Sequence, residues 1–136
     1  MGDLVPITQR SLALTGRALL GLYFIVPGIM KVTGYDGTVE YMAAHGVPLI
    51  SLLLPLTIVI QIGGGFALVV GLRTALVSFV LAGLTLVISL YMHDFWAYPE
   101  GLERAHETQN FVKNLAIMAG LLCLTGMREA PKPAAP

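Results

Sequence analysis

From Gly46 to Leu72 no residue carries a charge, a run of 27, and after Arg73 the next 19 residues, Thr74 to Met92, carry none either. A helix needs about 20 consecutive apolar residues to cross the hydrocarbon core of a bilayer. Two runs of that length, separated by one arginine, leave little room for a water-soluble fold. Composition agrees. Of 136 residues, 56% are apolar and 12% charged, against about 25% charged in ordinary soluble domains. Eight basic and eight acidic side chains cancel. Disorder, a basic nucleic-acid binder and a disulfide-stapled secreted module are excluded as classes, so no nucleic-acid partner is expected.

Two further spans are shorter on evidence. Ser11 to Met30 is long enough, although Arg17 interrupts it. Asn110 to Met127 follows the last polar stretch, with Lys113 near its start. Lipid offers backbone groups no partner, and these runs lack the alternation of barrel strands, so the spans are helices. The expected fold is all-α: an integral membrane bundle of four transmembrane helices over residues 11–127. Residues 1–10 form an N-terminal cytoplasmic segment and 128–136 a mobile Pro- and Ala-rich tail. Gly71-Leu72-Arg73-Thr74 makes a tight hairpin between spans two and three. The other connections, about Val32–Val47 and Asp94–Gln109, lie together on the opposite face. Arg10, Arg17, Arg73, Arg128 and Lys132 on the hairpin side outnumber Lys31, Arg104 and Lys113, which places both termini in the cytoplasm. Arg17 inside the apolar stretch, with no small-x-small site after it, argues that span one is retained rather than cleaved as a signal peptide. Cys123 is alone, so the chain cannot cycle a dithiol, and it reads as a small apolar filler.

Polar residues at membrane depth are the functional candidates. Arg17, Gly21, Phe24, Gly28 and Lys31 recur at helical steps and form a stripe facing other helices. Arg17 is either a buried orienting cation or a side chain that snorkels to the headgroups. Gln61 lies mid-span beside Gly63-Gly64-Gly65, where Gly64 and Gly65 form either a close helix contact or a notch for a ligand. Asn110, Lys113 and Asn114 share one face at the mouth of span four. His93 closes span three and can donate to a carbonyl or relay a proton. No dense metal motif is present, and no histidine sits mid-membrane as a paired haem ligand would. Trp96 and Tyr98 read as an interfacial belt. Asp36–His45 reads as a short capped helix lying on the outer surface or over the bundle mouth.

Together these pieces carry a resemblance. Pro27-Gly28-Ile29-Met30-Lys31-Val32-Thr33-Gly34-Tyr35, Tyr41 to Pro48, Gln61 to Gly65, Gly71 to Thr74, His93 and Phe111 to Ala116 resemble the DoxX family of small bacterial four-helix inner-membrane proteins, over nearly all of Leu12 to Gly126. The resemblance implies a multi-pass inner-membrane location and a link to quinone-coupled oxidation. Many members carry glutamate where this chain has Gln61, so a proton carried by that acid elsewhere is not carried here.

The resulting expectation is a redox-associated, quinone-linked accessory subunit without a redox centre of its own. Its ligand candidates are Arg17, Gln61, Gly64, Gly65, His93, Lys113 and Asn114. No cofactor is bound covalently; the possible ligands are a quinone or a lipid. Membrane lipid and either a second copy or a larger membrane complex are the expected partners. A purely structural or assembly subunit and, more remotely, a small-solute transporter are the alternatives.

Overall fold

The computed structural model describes residues 4–127, with side chains from Thr8 onward. The 128–136 tail lies outside the described residues. Five α-helices follow in order: α1 (Leu4–Thr33), α2 (Tyr35–Ala44), α3 (Ile50–Val70), α4 (Thr74–Met92) and α5 (Leu102–Gly126), with a 3-10 turn at Phe95–Ala97 before α5. No strand occurs among the described residues. Three segments are long and apolar enough to cross a membrane: Thr8–Thr33, Ile50–Val70 and Thr74–Ala97. The two uncharged runs are therefore α3 and α4. The helix of span one starts earlier than expected, at Leu4, within the segment assigned to the terminus.

Large apolar side chains cover the outside. Leu19, Leu22, Val26 and Ile29 on α1, Leu52, Val59 and Phe66 on α3, and Leu76, Phe79 and Val87 on α4 are all exposed. Water would not tolerate apolar surface of that extent on a monomer, and lipid does. The interior is small by comparison. Phe24, Leu68, Leu81, Ala82 and Leu121 form its packed core.

The helices pack in the order α1 on α3, α3 on α4 and α4 on α5. The tightest seam is α1 on α3, antiparallel. A methyl group placed on Gly21 would lie 2.5 Å from the Gly65 carbonyl oxygen, and one on Gly65 would lie 2.6 Å from that of Gly21. Gly28 meets Ile62 and Gln61 in the same way. The stripe read from Arg17 to Lys31 is the face that makes this seam, with Phe24 buried between its glycines. Both α1 and α3 continue through their prolines, Pro27 and Pro55.

The hairpin forms as expected. Gly71 ends α3 in the left-handed region, φ 78°, with Leu72 N–H donating to Ala67 and Gly71 N–H to Leu68 at 2.8 and 3.2 Å. These bonds satisfy carbonyls that the helix end leaves open. The Arg17 guanidinium lies against Gly71, so a side chain there would meet both a strained φ and the cation. A cation at the end of α3 also opposes the negative pole of that helix.

Two expectations need correction. The connection expected over Asp94–Gln109 is mostly helical, because α5 begins at Leu102, two turns before Asn110. Phe95, Trp96 and Phe111 stack edge to face at centroid distances of 5.2–5.9 Å and pin the turn onto α5. Cys123 is exposed on α5 rather than filling the interior. The helix read at Asp36–His45 is α2, which lies over the bundle mouth with Met42 buried beneath it, although no side chain caps its start.

The glycine seam predicts mutations of opposite sign. Gly65→Val forces two backbones apart and should cost about 1–3 kcal/mol. Gly63→Ala faces open space and should be neutral or stabilising by up to about 1 kcal/mol through helix propensity. Unfolding in mild detergent titrated with a denaturing one measures both.

Candidate functional site

A polar chamber of about 200 Å³ lies between the helices in the half of the bundle that ends at α2. Tyr23, Pro27 and Lys31 of α1, Gln61 of α3, Thr85 of α4, His93 at its end, and Lys113 and Asn114 of α5 line it. Gln61 is 11 residues into α3, about 16 Å along the axis at 1.5 Å per residue. The floor of the chamber is therefore close to mid-membrane depth. Phe24 lines that floor, and the packed Leu68, Leu81 and Leu121 lie in the same core cluster.

One wall is a fully partnered network. The Tyr23 hydroxyl donates to Asn114 Oδ1 at 2.8 Å, and Asn114 Nδ2 donates to Ser89 Oγ at 3.1 Å. Ser89 in turn donates to the Thr85 carbonyl, and Thr85 to that of Leu81, both at 2.7 Å. This network ties α1, α4 and α5 together. Asn114 is committed to it and holds the wall in place.

Gln61 is different. It is 4% exposed, and its Oε1 has no hydrogen-bond partner. A buried acceptor left unmade costs about 1–3 kcal/mol, so such groups are rare without a function. Lys113 is exposed at the edge of the chamber, 3.3 Å from Asn110 Oδ1 and 6.0 Å above the Tyr23 ring. Lys31 reaches its own Pro27 carbonyl at 3.5 Å. Neither ammonium has a carboxylate partner among the described residues.

His93 stands at the chamber's outer end. Its Nδ1 is 2.7 Å from Glu107 Oε2. Beyond it, Tyr41, Tyr98, Glu103, His106, Glu107 and Asn110 line an open polar cup of about 300 Å³. His45 joins this surface, with Nδ1 2.8 Å from the Tyr41 carbonyl and Nε2 3.4 Å from the Tyr98 hydroxyl. To the side, a mostly apolar cavity of about 390 Å³ shares Lys31, Ile88 and His93 with the chamber. It is roofed by Gly37, Thr38, Tyr41 and Met42 of α2. A third cavity, of about 150 Å³ and walled by α3 and α4, continues it past Thr57, Ile88 and Met92.

The candidates thus divide. Gln61, His93, Lys113 and Asn114 meet in one chamber, joined by Tyr23, Lys31 and Thr85. Arg17 lies at the opposite end, against Gly71. Gly64 and Gly65 do not form a notch: Leu81 packs on Gly64, and Ile25 with the Gly21 backbone packs on Gly65. Among the described residues no three His, Cys, Asp or Glu side chains are grouped to hold a metal. The polar face of α4 was not expected. Its signal is Ser78, Ala82, Thr85 and Ser89, which recur at steps of four, three and four inside an uncharged span.

The DoxX family model matches residues 12–94, which hold most of α1, all of α2 to α4, Gln61 and His93. The chain belongs to the DoxX family. It is 40% identical over 115 residues to the inner membrane protein YqjF of Escherichia coli (strain K12), covering 83% of this chain and 82% of that one. It is 32% identical over 117 residues to the inner membrane protein YphA of the same organism, covering 85% and 83%. No solved structure matches. This chain is accordingly a small membrane protein of the DoxX family.

The accounting of hydrogen bonds separates two amides. Asn114→Leu should destabilise by about 1–3 kcal/mol, because it strands the Tyr23 hydroxyl and Ser89. Gln61→Leu removes an acceptor that has no partner and should leave stability unchanged or higher. Detergent unfolding curves of the two variants decide. At the mouth, lost hydration and then the nearby carboxylates, with Glu107 common to both, raise the Tyr41 and Tyr98 phenols above 10.0. Above pH 10 an unfolded chain would release those protons and the folded one would not, so stability falls as pH rises through that window. Ultraviolet titration should show both phenols ionising late, and earlier in Glu107→Gln.

Proposed function

We propose that this protein is a redox-associated accessory subunit of the bacterial inner membrane that holds the headgroup of a quinone-class lipid and has no redox centre of its own. On this reading α5 is the fourth transmembrane helix, both termini face the cytoplasm, and α2 covers the outer mouth. The supporting observation is Gln61: a buried, unpartnered acceptor in a polar chamber that opens into an apolar one. That combination fits an amphipathic molecule with hydroxyl or carbonyl oxygens at one end and a hydrocarbon tail.

The residues divide the task. Gln61 accepts from a ring hydroxyl in the reduced ligand. Lys113 and His93 donate to the carbonyl oxygens of the oxidised one, and Tyr23–Asn114–Ser89 fixes the wall against which the ring lies. The tail runs under α2 in the 390 Å³ cavity, a volume within the usual range for small-molecule sites, about 300–1,000 Å³. It leaves between α3 and α4 through the smaller cavity. When bound, a quinone supplies two-electron, two-proton chemistry, and the electrons come from a partner complex.

A structural or assembly role is the second reading. What favours it is that Gly64 and Gly65 serve helix packing, and that the apolar exterior could pack on another subunit as well as on lipid.

The test uses the full chain in nanodiscs with decylubiquinone or menaquinone. Saturating quinone at about 100 times its dissociation constant should add about 2.7 kcal/mol of stability. Gln61→Leu should weaken binding about tenfold, the equivalent of about 1.4 kcal/mol. Unchanged melting in both quinones, with none extracted from the purified protein, removes this reading. A stable partner captured in the same preparation would then favour the assembly role.

A further inference from the structure

We infer that His93 and Glu107 form a proton relay that connects the outer polar cup to the buried chamber and gives that chamber proton access from one face of the membrane only. Where the ligand is a quinone this deepens the reading above, but the relay stands on geometry that holds without any ligand.

The cup and the chamber meet at a polar boundary. Glu107 lines the outer cup, and His93 lines both the polar chamber and the apolar cavity beside it. Their contact, Nδ1 to Oε2 at 2.7 Å, is the shorter of two hydrogen-bonded links between cup and chamber; the other, Lys113 Nζ to Asn110 Oδ1 at 3.3 Å, ends on an amide oxygen that does not carry a proton. Both side chains are mostly shielded, with 19% and 17% exposed. His93 Nε2 has no hydrogen-bond partner among the described residues, so the imidazole has one nitrogen engaged by Glu107 and one left over, and the ring lines the chamber. With the ring in its Nε2–H tautomer, a proton taken by Glu107 from the cup passes to Nδ1 and the ring releases the Nε2 proton into the chamber; the ring is left as the Nδ1–H tautomer, and a ring flip or tautomer exchange resets it. One proton leaves the cup and one enters the chamber, and only N–H and O–H bonds change. Imidazole suits this step because both its nitrogens exchange protons near neutral pH.

The other end has no such path. Phe24, Leu68, Leu81 and Leu121 are packed below the chamber, each at most 2% exposed. Arg17 lies beyond them, against the hairpin. Around the relay, the titratable groups that share its cavities are Tyr23 and Lys31 of α1, Tyr41 of α2, Tyr98 after α4, and Glu103, His106 and Lys113 of α5. Asp94, 3.9 Å from His45, completes the acidic rim. Lys31 and Lys113 sit on the chamber side and the carboxylates on the cup side. A proton therefore crosses from an acidic surface towards a cationic interior, where it is held only if a ligand or a carboxylate takes it.

Gln61→Glu provides that acceptor without any quinone. In nanodiscs, the protonation of the introduced carboxyl is followed by infrared absorption after a rapid pH jump. With His93 and Glu107 intact, protonation should be fast. Adding Glu107→Gln, which keeps a hydrogen-bond partner for His93 but cannot carry a proton, should slow it by roughly a hundredfold. Adding His93→Phe should do the same, with melting temperatures unchanged in the Glu107→Gln background. Equal rates in all three proteins would overturn the relay. If Gln61→Glu does not fold, Asn114→Asp places the carboxyl on the opposite wall and is read in the same way. Quinone binding that fails while these rates differ removes the ligand assignment and leaves the relay; equal rates with quinone bound do the reverse.

Discussion

Everything in this bundle depends on the backbone contact of α1 with α3 at Gly21 and Gly65. In lipid there is no hydrophobic drive to bring helices together, because the tails are as apolar as the side chains. Association rests on close packing, and glycine permits the closest. The two carbonyls come within reach of each other's Cα positions only because neither residue has a Cβ. With α1 held tightly to α3, the rest of the bundle must close across from α4 and α5. It does so through side chains: Leu20 towards Gly120, and Tyr23 to Asn114. Helices joined by large side chains stand further apart than helices joined by glycines. The chamber occupies that wider spacing.

What fills the gap is polar, and its accounting is uneven in an informative way. Tyr23, Asn114, Ser89 and Thr85 satisfy one another over three helices. Networks of this kind specify one register, since slipping any helix by a residue would break several bonds at once. Gln61 lies in the same chamber with an unmade acceptor. Arg17 Nε, Ser78 Oγ and Asp94 Oδ1 also lack hydrogen-bond partners, but none of the three lines the chamber. Gln61 is thus the group that a ligand would complete, and the network is the scaffold that fixes where the ligand would lie.

Much of this was legible in the sequence, and the failures have physical causes. Charge-free runs gave α3 and α4 because the bilayer penalises charge heavily along the whole length of a span. Glycines at helical steps between Arg17 and Lys31 gave the α1 face because only that face could approach another backbone. Gln61, His93, Lys113 and Asn114 were singled out for their polarity, and they do meet. Gly64 and Gly65 were left open between a helix contact and a notch because a glycine records closeness without saying to what. Thr85 and Ser89 were missed because hydroxyls that bond their own helix cost little in lipid, so they interrupt no hydropathy run. The start of α5 was missed because Leu102 to Gln109 has only Leu102 and Ala105 as apolar residues, and its helicity comes from continuity with the apolar turns after it.

The balance of charge is the last link. Six carboxylates, Asp36, Glu40, Asp94, Glu100, Glu103 and Glu107, belong to the segments around the mouth, whereas Lys31 and Lys113 line the chamber itself. Neither ammonium has a carboxylate partner among the described residues, and each would be more stable beside one. Of the carboxylates at the cup, Glu107 is held by His93. That pairing keeps the acid on the cup side and leaves the lysines uncompensated. An electron-rich oxygen in the chamber would supply both cations with a partner. The same contact that withholds the carboxylate from the lysines is therefore the one that connects the chamber to water.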